Sequence, residues 1–448
     1  MRNKICLVVL LCACLSVTTA LAQRSQFDAM VDKDITNLLE TYRTLHAAPE
    51  LSHREEKTAS LFAGELRKLG FTVTERVGKY EKAEWTSYGV VAVMKNGEGP
   101  TVLVRTELDA LPVDEKTGLP YASRVKTKND AGQDVSVMHA CGHDIHITSM
   151  LGAARALSAL KDQWRGTLVV VGQPAEETID GARAMLRDGL YDRFPKPDYA
   201  IALHDNAELE AGKVGYTPGY ALASSNSVDI KIFGIGGHGA RPEATKDPIV
   251  VTAQVVLALQ TIVSRENSPL DPVIVTVGSI HGGSKHNIIP DEVNLQLTVR
   301  AYKEEVRKRV LASIERITKG IALTAGIPSD RAPVVTISDT QFTAATFNDP
   351  QLTERLAAVF AKALGQENVV RVPPAMVSED FGYFSLDQTI PSIQFWLGAV
   401  DPARVRESRQ SATPLPSLHS ALFAPLPEPT LRTGVKAMTS AVLELMKK

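Results

Sequence analysis

Thr101-Val102-Leu103-Val104-Arg105-Thr106 is followed at once by Glu107 and Asp109. A run this apolar reads as a strand covered on both faces, the habit of parallel sheets. The carboxylates at its end fall where open α/β sheets bind their ligands. The pattern recurs. Gly166-Thr167-Leu168-Val169-Val170-Val171-Gly172 leads into Gln173-Pro174-Ala175-Glu176-Glu177, and Tyr199-Ala200-Ile201-Ala202-Leu203 leads into His204-Asp205. Helical spacing over 35–50, 55–69 and 147–160 separates these strands, and two more are expected over 71–77 and 89–95. Strands alternating with helices in this way predict an α/β fold with a mainly parallel sheet.

Around residue 222 the texture changes. Ser227-Val228-Asp229-Ile230-Lys231-Ile232-Phe233 alternates as a half-exposed strand does, and helix 248–264, strands 272–280 and 292–300, helix 303–324 and strand 333–338 follow. The order β-α-β-β-α-β is ferredoxin-like and suits an inserted α+β lid or dimerisation domain. The α/β alternation resumes after about 340 with helix 350–364, strand 393–398 and a final amphipathic helix over 429–446. The expected division is a leader over 1–22, a catalytic domain over 23–221 and 339–448, and an insertion over 222–338. The free sheet face of such an insertion commonly pairs with a second copy, so a homodimer is expected.

The formal net charge is −2 and 22% of residues are charged, which offers no basic footprint for nucleic acid. At the N-terminus Arg2 and Lys4 precede an apolar run to Ala20, and Ala20-Leu21-Ala22 has the form of a signal-peptidase site before Gln23. An exported, periplasmic or secreted protein is the expectation. Lipidation at Cys14 is an alternative, disfavoured by the apolar stretch that continues beyond it, and a true anchor helix would be short for a bilayer. No membrane span is expected elsewhere. Cys6, Cys12 and Cys14 lie in the leader, which leaves Cys141 as the sole cysteine of the mature chain, with no disulfide available to it.

Cys141 sits in Met138-His139-Ala140-Cys141-Gly142-His143-Asp144-Ile145-His146, where a thiol, imidazoles and a carboxylate crowd one turn. Such groups ligate transition metals, although the turn could equally cap the helix that follows. Five candidate ligands stand at strand ends or loops: Cys141, His143, Glu177, His204 and His419. Five donors suit two ions better than one. Adjacent Glu176 and Glu177 repel each other unless one binds a cation and the other carries a proton, which fits a metal ligand beside a general base.

Nine stretches now carry a resemblance: His46-x-x-Pro49-Glu50-Leu51-Ser52, Glu107-x-Asp109-Ala110-Leu111-Pro112, His139 to Asp144, Pro174 to Glu177, Leu203-His204, Gly236-Gly237-His238-Gly239-Ala240-Arg241-Pro242, His286 to Pro290, Ser378-Glu379-Asp380-Phe381 and Leu418-His419-Ser420. In this order they resemble the di-metal aminoacylase and carboxypeptidase family, and within it the hippurate hydrolases, N-acyl-amino-acid amidohydrolases and auxin-conjugate hydrolases. The resemblance implies two divalent ions per subunit, zinc foremost, with manganese, cobalt or nickel as alternatives. Cys141, His143, Glu177, His204 and His419 would be the ligands, with Cys141 bridging, and Glu176 the base. His238, from the insertion and across a dimer, would stabilise the oxyanion. Asn287 with His286 would hold the substrate carboxylate, and Arg300 is a further candidate for that task. Glu107, Asp109 and Asp144 are expected to support the ligands, Asp144 by orienting one of them or by capping the helix.

Two departures stand out. Glu107 occupies a position where the subgroup usually has Asp, which lengthens a supporting carboxylate and bears on metal preference. The loop after His204, Asp205-Asn206-Ala207, lacks a proline that the family often carries. The expected activity is cleavage of the amide of N-acyl amino acids by metal-activated water. A carboxypeptidase or dipeptidase acting on short peptides is the alternative with the same machinery, and a non-catalytic metal- or peptide-binding protein the alternative from another class.

Overall fold

The computed structural model describes residues 27–448, so the expected leader and the Cys14 alternative lie outside the described residues. The chain forms two compact units, one comprising the residues up to Gly219 with Phe347–Pro373 and Tyr383–Lys448, the other Tyr220–Thr346 with Pro374–Gly382.

The first unit is built on an eight-stranded sheet in the order Thr72–Glu75, Val90–Asn96, Gly166–Gln173, Thr101–Glu107, Tyr199–Glu210, Ser392–Val400, Val214–Tyr216, Val369–Arg371. The strand Thr101–Glu107 lies inside it, parallel to both neighbours, with Val104 opposite Val170 on one side and Ile201 on the other. Its residues after Thr101 are all buried, as their apolarity requires. Ser392–Val400 continues the parallel set beside Tyr199–Glu210 and is buried throughout. The two strands at the other edge, Val90–Asn96 and Thr72–Glu75, are antiparallel.

Two of the boundaries that differ from the expectation bear on the site. The strand expected to end at Leu203 runs to Glu210, because Ser392–Val400 keeps pairing with it beyond His204. The helix expected from 147 begins at His143 and spans His143–Ala159. Nearly all of it is buried, so it lacks the one-sided stripe by which a helix start is read from sequence. It packs on the C-terminal helix Pro427–Met446 at a close crossing: a Cβ on Gly152 would lie 2.4 Å from Val435, and one on Gly434 2.5 Å from the Ser149 hydroxyl. The core around them includes Leu38, Phe62, Trp164, Phe360 and Phe395.

The second unit is a four-stranded antiparallel sheet in the order Val273–Gly282, Glu292–Ala301, Ser224–Phe233, Val334–Thr343. The helices Pro248–Thr261 and Glu304–Thr324 complete the split β-α-β-β-α-β arrangement. Val228, Ile230 and Ile232 alternate with more exposed residues and pack with Val251, Val255, Leu259 and Ile314. The segment 374–382 belongs to this unit rather than to the α/β part. Ala223 donates to the Val377 carbonyl at 3.0 Å, and Arg300 Nη1 to the Met376 carbonyl at 3.1 Å. One helical stretch among the described residues, Pro248–Glu266, is long and apolar enough to cross a membrane, but its buried stripe packs against its own sheet.

The glycine crossing yields a prediction. Gly152→Leu should destabilise the protein by about 2–3 kcal/mol, the usual cost of overpacking a close contact, and lower the thermal midpoint without loss of helical content. Calorimetry with circular dichroism checks it; an unchanged midpoint would show that the two helices do not meet as described.

Candidate metal centre

Because the central strands are parallel, their carboxyl ends emerge on one edge, and the polar residues that follow them are brought together there. Cys141 lies in the turn before the helix His143–Ala159, His143 is that helix's first residue, Glu176 and Glu177 follow Gly166–Gln173, and His204 lies within Tyr199–Glu210. His419 arrives on a loop tied back by its backbone N–H, which donates to the Ala140 carbonyl at 2.8 Å.

The five candidate ligands converge. Cys141 Sγ is 3.5 Å from His204 Nε2 and 3.3 Å from His419 Nε2. Glu177 reaches His419 Nε2 at 3.5 Å and His143 Nε2 at 3.9 Å. Glu176 Oε2 is 3.8 Å from the same His143 nitrogen. Cys141, His143 and His204 are buried, whereas His419 is exposed and marks the open side.

The imidazoles are oriented as metal ligands are. His143 Nδ1 donates to the Asp109 carbonyl at 2.8 Å, and His204 Nδ1 to the Asp205 carbonyl at 2.9 Å. A carbonyl only accepts, so each Nδ1 carries a hydrogen and each Nε2 is the nitrogen turned toward the cluster. His143 Nε2 has no hydrogen-bond partner among the described residues. Burial works to lower the pKa of His143, but Asp109, Glu107 and Glu177 outweigh it and lift the value to about 10. Buried carboxylates thus surround this imidazole, a setting that a divalent cation would suit. Soft thiolate with imidazole and carboxylate therefore fits one or more divalent ions of the zinc type.

The supporting residues are arranged with some surprises. Asp109 accepts the Ser52 hydroxyl at 2.6 Å and the Glu177 amide at 3.0 Å. Glu107 is paired with buried Arg105, and its Oε2 accepts from His146 Nδ1 at 3.0 Å. The other nitrogen of His146 accepts the Asp205 amide at 2.8 Å. Glu107 and His146 lie within ligand distance of His143 and His204, but both are committed to these partners and form a layer behind the donors. Asp144 meets a first-turn amide of the helix, as a capping role would have it, but bonds to no candidate ligand among the described residues. Its carboxylate accepts from His46 Nδ1 at 2.7 Å and from the Ile145 amide at 2.9 Å, and the residue at the cap position is Gly142, without a side-chain bond. Burial tends to lower the pKa of His46, yet Asp144 and Glu115 lift it to about 10, so this is a buried ion pair. From sequence His146 is expected to be a supporting or structural residue and Ser52 a helix cap; His146 does support the cluster, Ser52 binds Asp109 instead, and Glu55 gives no local signal.

The remaining candidates lie in the second unit. His238 is exposed on a two-stranded ribbon with Ile288–Ile289, and the Gly239 amide donates to the Asn287 carbonyl at 2.9 Å. His286 and Asn287 are exposed on the same ribbon. Arg300 is half-buried, and its Nη1 also donates to the Ser378 hydroxyl at 3.1 Å.

Thiolate, imidazole and paired carboxylates gathered at the carboxyl edge of a parallel sheet define a hydrolytic metal site, and the comparisons make this specific. The model of peptidase family M20/M25/M40 matches residues 103–443, and the chain belongs to that family. Hippurate hydrolase of Campylobacter jejuni is 37% identical over 342 residues, 76% of this chain and 82% of that protein. Thermostable carboxypeptidase 1 of Saccharolobus solfataricus is 34% identical over 364 residues, 81% of this chain and 85% of that protein. Among solved structures, the Bacillus subtilis YXEP protein, described as a dinuclear metal binding peptidase from the M20 family, superposes with a TM-score of 0.72. It is 26% identical, and the match covers 92% of this chain and 98% of that one. The protein is thus an enzyme of the amidohydrolase and peptidase class.

Gly142 occupies a demanding backbone position of the centre: its φ is +80°, and a Cβ there would lie 2.4 Å from Asp205 Oδ2. Gly142→Ala should therefore cost about 1–3 kcal/mol in strain and displace Cys141 and His143. Denaturant unfolding checks the first effect and metal titration the second; a variant with both properties of the wild type would contradict the turn.

Proposed function

We propose that the protein is a metal-dependent amidohydrolase that cleaves N-acyl amino acids of the hippurate kind, and that residues 1–22 direct its export. The observation that carries the reading is Glu176: a buried carboxylate adjoining the five-donor cluster but set beside Glu177, which faces both His143 and His419. Cys141, His143, Glu177, His204 and His419 are the residues that would hold the ions, with Cys141 Sγ between His204 and His419. When bound, two divalent ions, zinc by preference, would supply Lewis acidity and lower the pKa of water at the scissile carbonyl.

Glu176 takes the proton from the attacking water and returns it to the amine as the C–N bond breaks, releasing a carboxylic acid and an amino acid. Asp109 holds His143 and the Glu177 amide so that this pair stays in register. His238 is assigned the developing oxyanion, and Asn287 with His286 the free carboxylate of the substrate, on the strength of their motif positions. Arg300 is the lesser candidate, since Met376 and Ser378 already occupy part of its guanidinium. The relation to a hippurate hydrolase supports an acyl amino acid as substrate; the relation to a carboxypeptidase supports the second reading, a peptide with a free C-terminus. The exposed Ile249, Val250, Leu257 and Ile280 of the second unit support pairing of two copies.

Glu176→Gln should retain bound metal and lose about 10³-fold in kcat, the middle of what a general base contributes. Turnover of hippurate near the wild-type rate in that variant would end the proposal. Chelation should abolish hydrolysis and each added divalent ion should restore it to a different degree; hydrolysis indifferent to chelator would exclude the metal reading. Comparison of kcat/KM for N-acyl amino acids and dipeptides discriminates the two substrate readings, the first predicting at least tenfold preference for the acyl compounds.

A further inference from the structure

Glu55 lies outside the ligand set, yet it is fully buried in the unit that carries the centre. Its Oε1 accepts two backbone hydrogens, from His53 at 2.9 Å and from Ala175 at 2.8 Å. Its other oxygen has no hydrogen-bond partner among the described residues. A carboxylate buried to hold two amides is costly to place, and a purely apolar core would not need it.

What it holds is the turn that carries the proposed base. Ala175 has a φ of +50°, a conformation in which a side chain is strained and which persists only when its surroundings impose it. Immediately after it, the Ile179 amide donates to the Glu176 carbonyl at 2.7 Å, and the Gly181 amide to the Ala175 carbonyl at 3.1 Å, which closes the turn. Two residues beyond Ala175, the Glu177 amide is held by Asp109 at 3.0 Å. Asp109 in turn accepts the hydroxyl of Ser52 at 2.6 Å. The backbone on both sides of Glu176 is thus gripped by carboxylates, Glu55 before it and Asp109 after it, and Ser52, His53 and Glu55 of one short segment anchor both grips.

We propose that Glu55 is a positioning residue that sets the aim of the Glu176 carboxylate by fixing the strained Ala175 peptide. The proposal rests on the assignment of Glu176 as base. The angle of a base against its proton matters steeply: a displacement of the order of 1 Å can cost about 10²-fold in rate. Binding of metal depends on Glu177 and the other donors, and the bonds that hold these directly are the Asp109 carboxylate on the Glu177 amide and the backbone carbonyls on His143 and His204, not Glu55 itself. The effect should therefore fall on kcat alone.

The test uses Glu55→Ala, Glu55→Asp and Glu55→Gln, with Glu176→Gln as reference, each assayed on hippurate with saturating metal and with bound metal measured. Alanine removes the acceptor and aspartate falls a methylene short, so both should lower kcat by about 10- to 100-fold, with KM and metal content within about twofold of wild type. Glutamine keeps a carbonyl oxygen for both amides and should recover at least about a third of the wild-type kcat. If the alanine variant does not accumulate as folded protein, the aspartate and glutamine pair carries the same contrast. The proposal is overturned if kcat survives in the aspartate variant, if its loss tracks loss of metal, or if glutamine is no better than aspartate. Full turnover in Glu176→Gln would instead remove the base assignment itself, and that outcome is read separately.

Discussion

The constraint on which the catalytic unit depends is the parallel pairing of Thr101–Glu107 between Gly166–Gln173 and Tyr199–Glu210. Strands buried on both faces leave no room for polar side chains along their length, so polar groups collect where the strands end. Parallel direction places those ends on one edge. Glu107 and Asp109, Glu176 and Glu177, and His204 share an edge for that reason, although they come from three separate stretches of sequence. The helix His143–Ala159 then starts on the same edge and adds Cys141 and His143.

Convergence has an electrostatic cost. Glu107, Asp109 and Glu176 are buried together, with Asp205 close behind them. Arg105 neutralises Glu107 directly, Asp109 accepts the Ser52 hydroxyl and the Glu177 amide, and the Asp205 carboxylate lies 3.6 Å from His146 Nε2. Burial, more than any other influence, pushes Asp205 up to about 6, and His143 is lifted to about 10 by the carboxylates around it. An imidazole raised this far by buried carboxylates lies in a setting that suits divalent ions.

Much of this was legible in the sequence, because strand ends, paired glutamates and the Cys-Gly-His turn are local signals. The limits of legibility are equally physical. Residues 139, 141, 143 and 146 look alike in sequence, and only the fold sorts them: Cys141 and His143 face the cluster, His146 is held between Glu107 and Asp205, and His139 is buried with neither ring nitrogen hydrogen-bonded among the described residues. The start of the helix was misread because a helix buried on all sides has no amphipathic phase. Asp144 was drawn toward the site by its neighbours in the chain, while its true partner, His46, lies 98 residues away. The attachment of 374–382 to the second unit likewise rests on bonds to Ala223 and Arg300 that no local pattern announces.

The glutamate at position 107 shows how a departure from a family pattern can be absorbed. Judged by length alone, an extra methylene would push a supporting carboxylate toward the donors and alter their geometry. In the folded chain the longer arm spans between Arg105 and His146, and Arg105 Nε is itself fixed by Gln173 Oε1 at 2.7 Å. His146 then receives the Asp205 amide, next to His204, whose Nδ1 is fixed by the Asp205 carbonyl. The added length is taken up in the layer behind the cluster, and its hydrogen bonds reach His204 through His146 and the Asp205 backbone. The glutamate at 107 thus bears on how His204 is held, through His146 and the Asp205 amide, rather than standing among the donor atoms of the cluster.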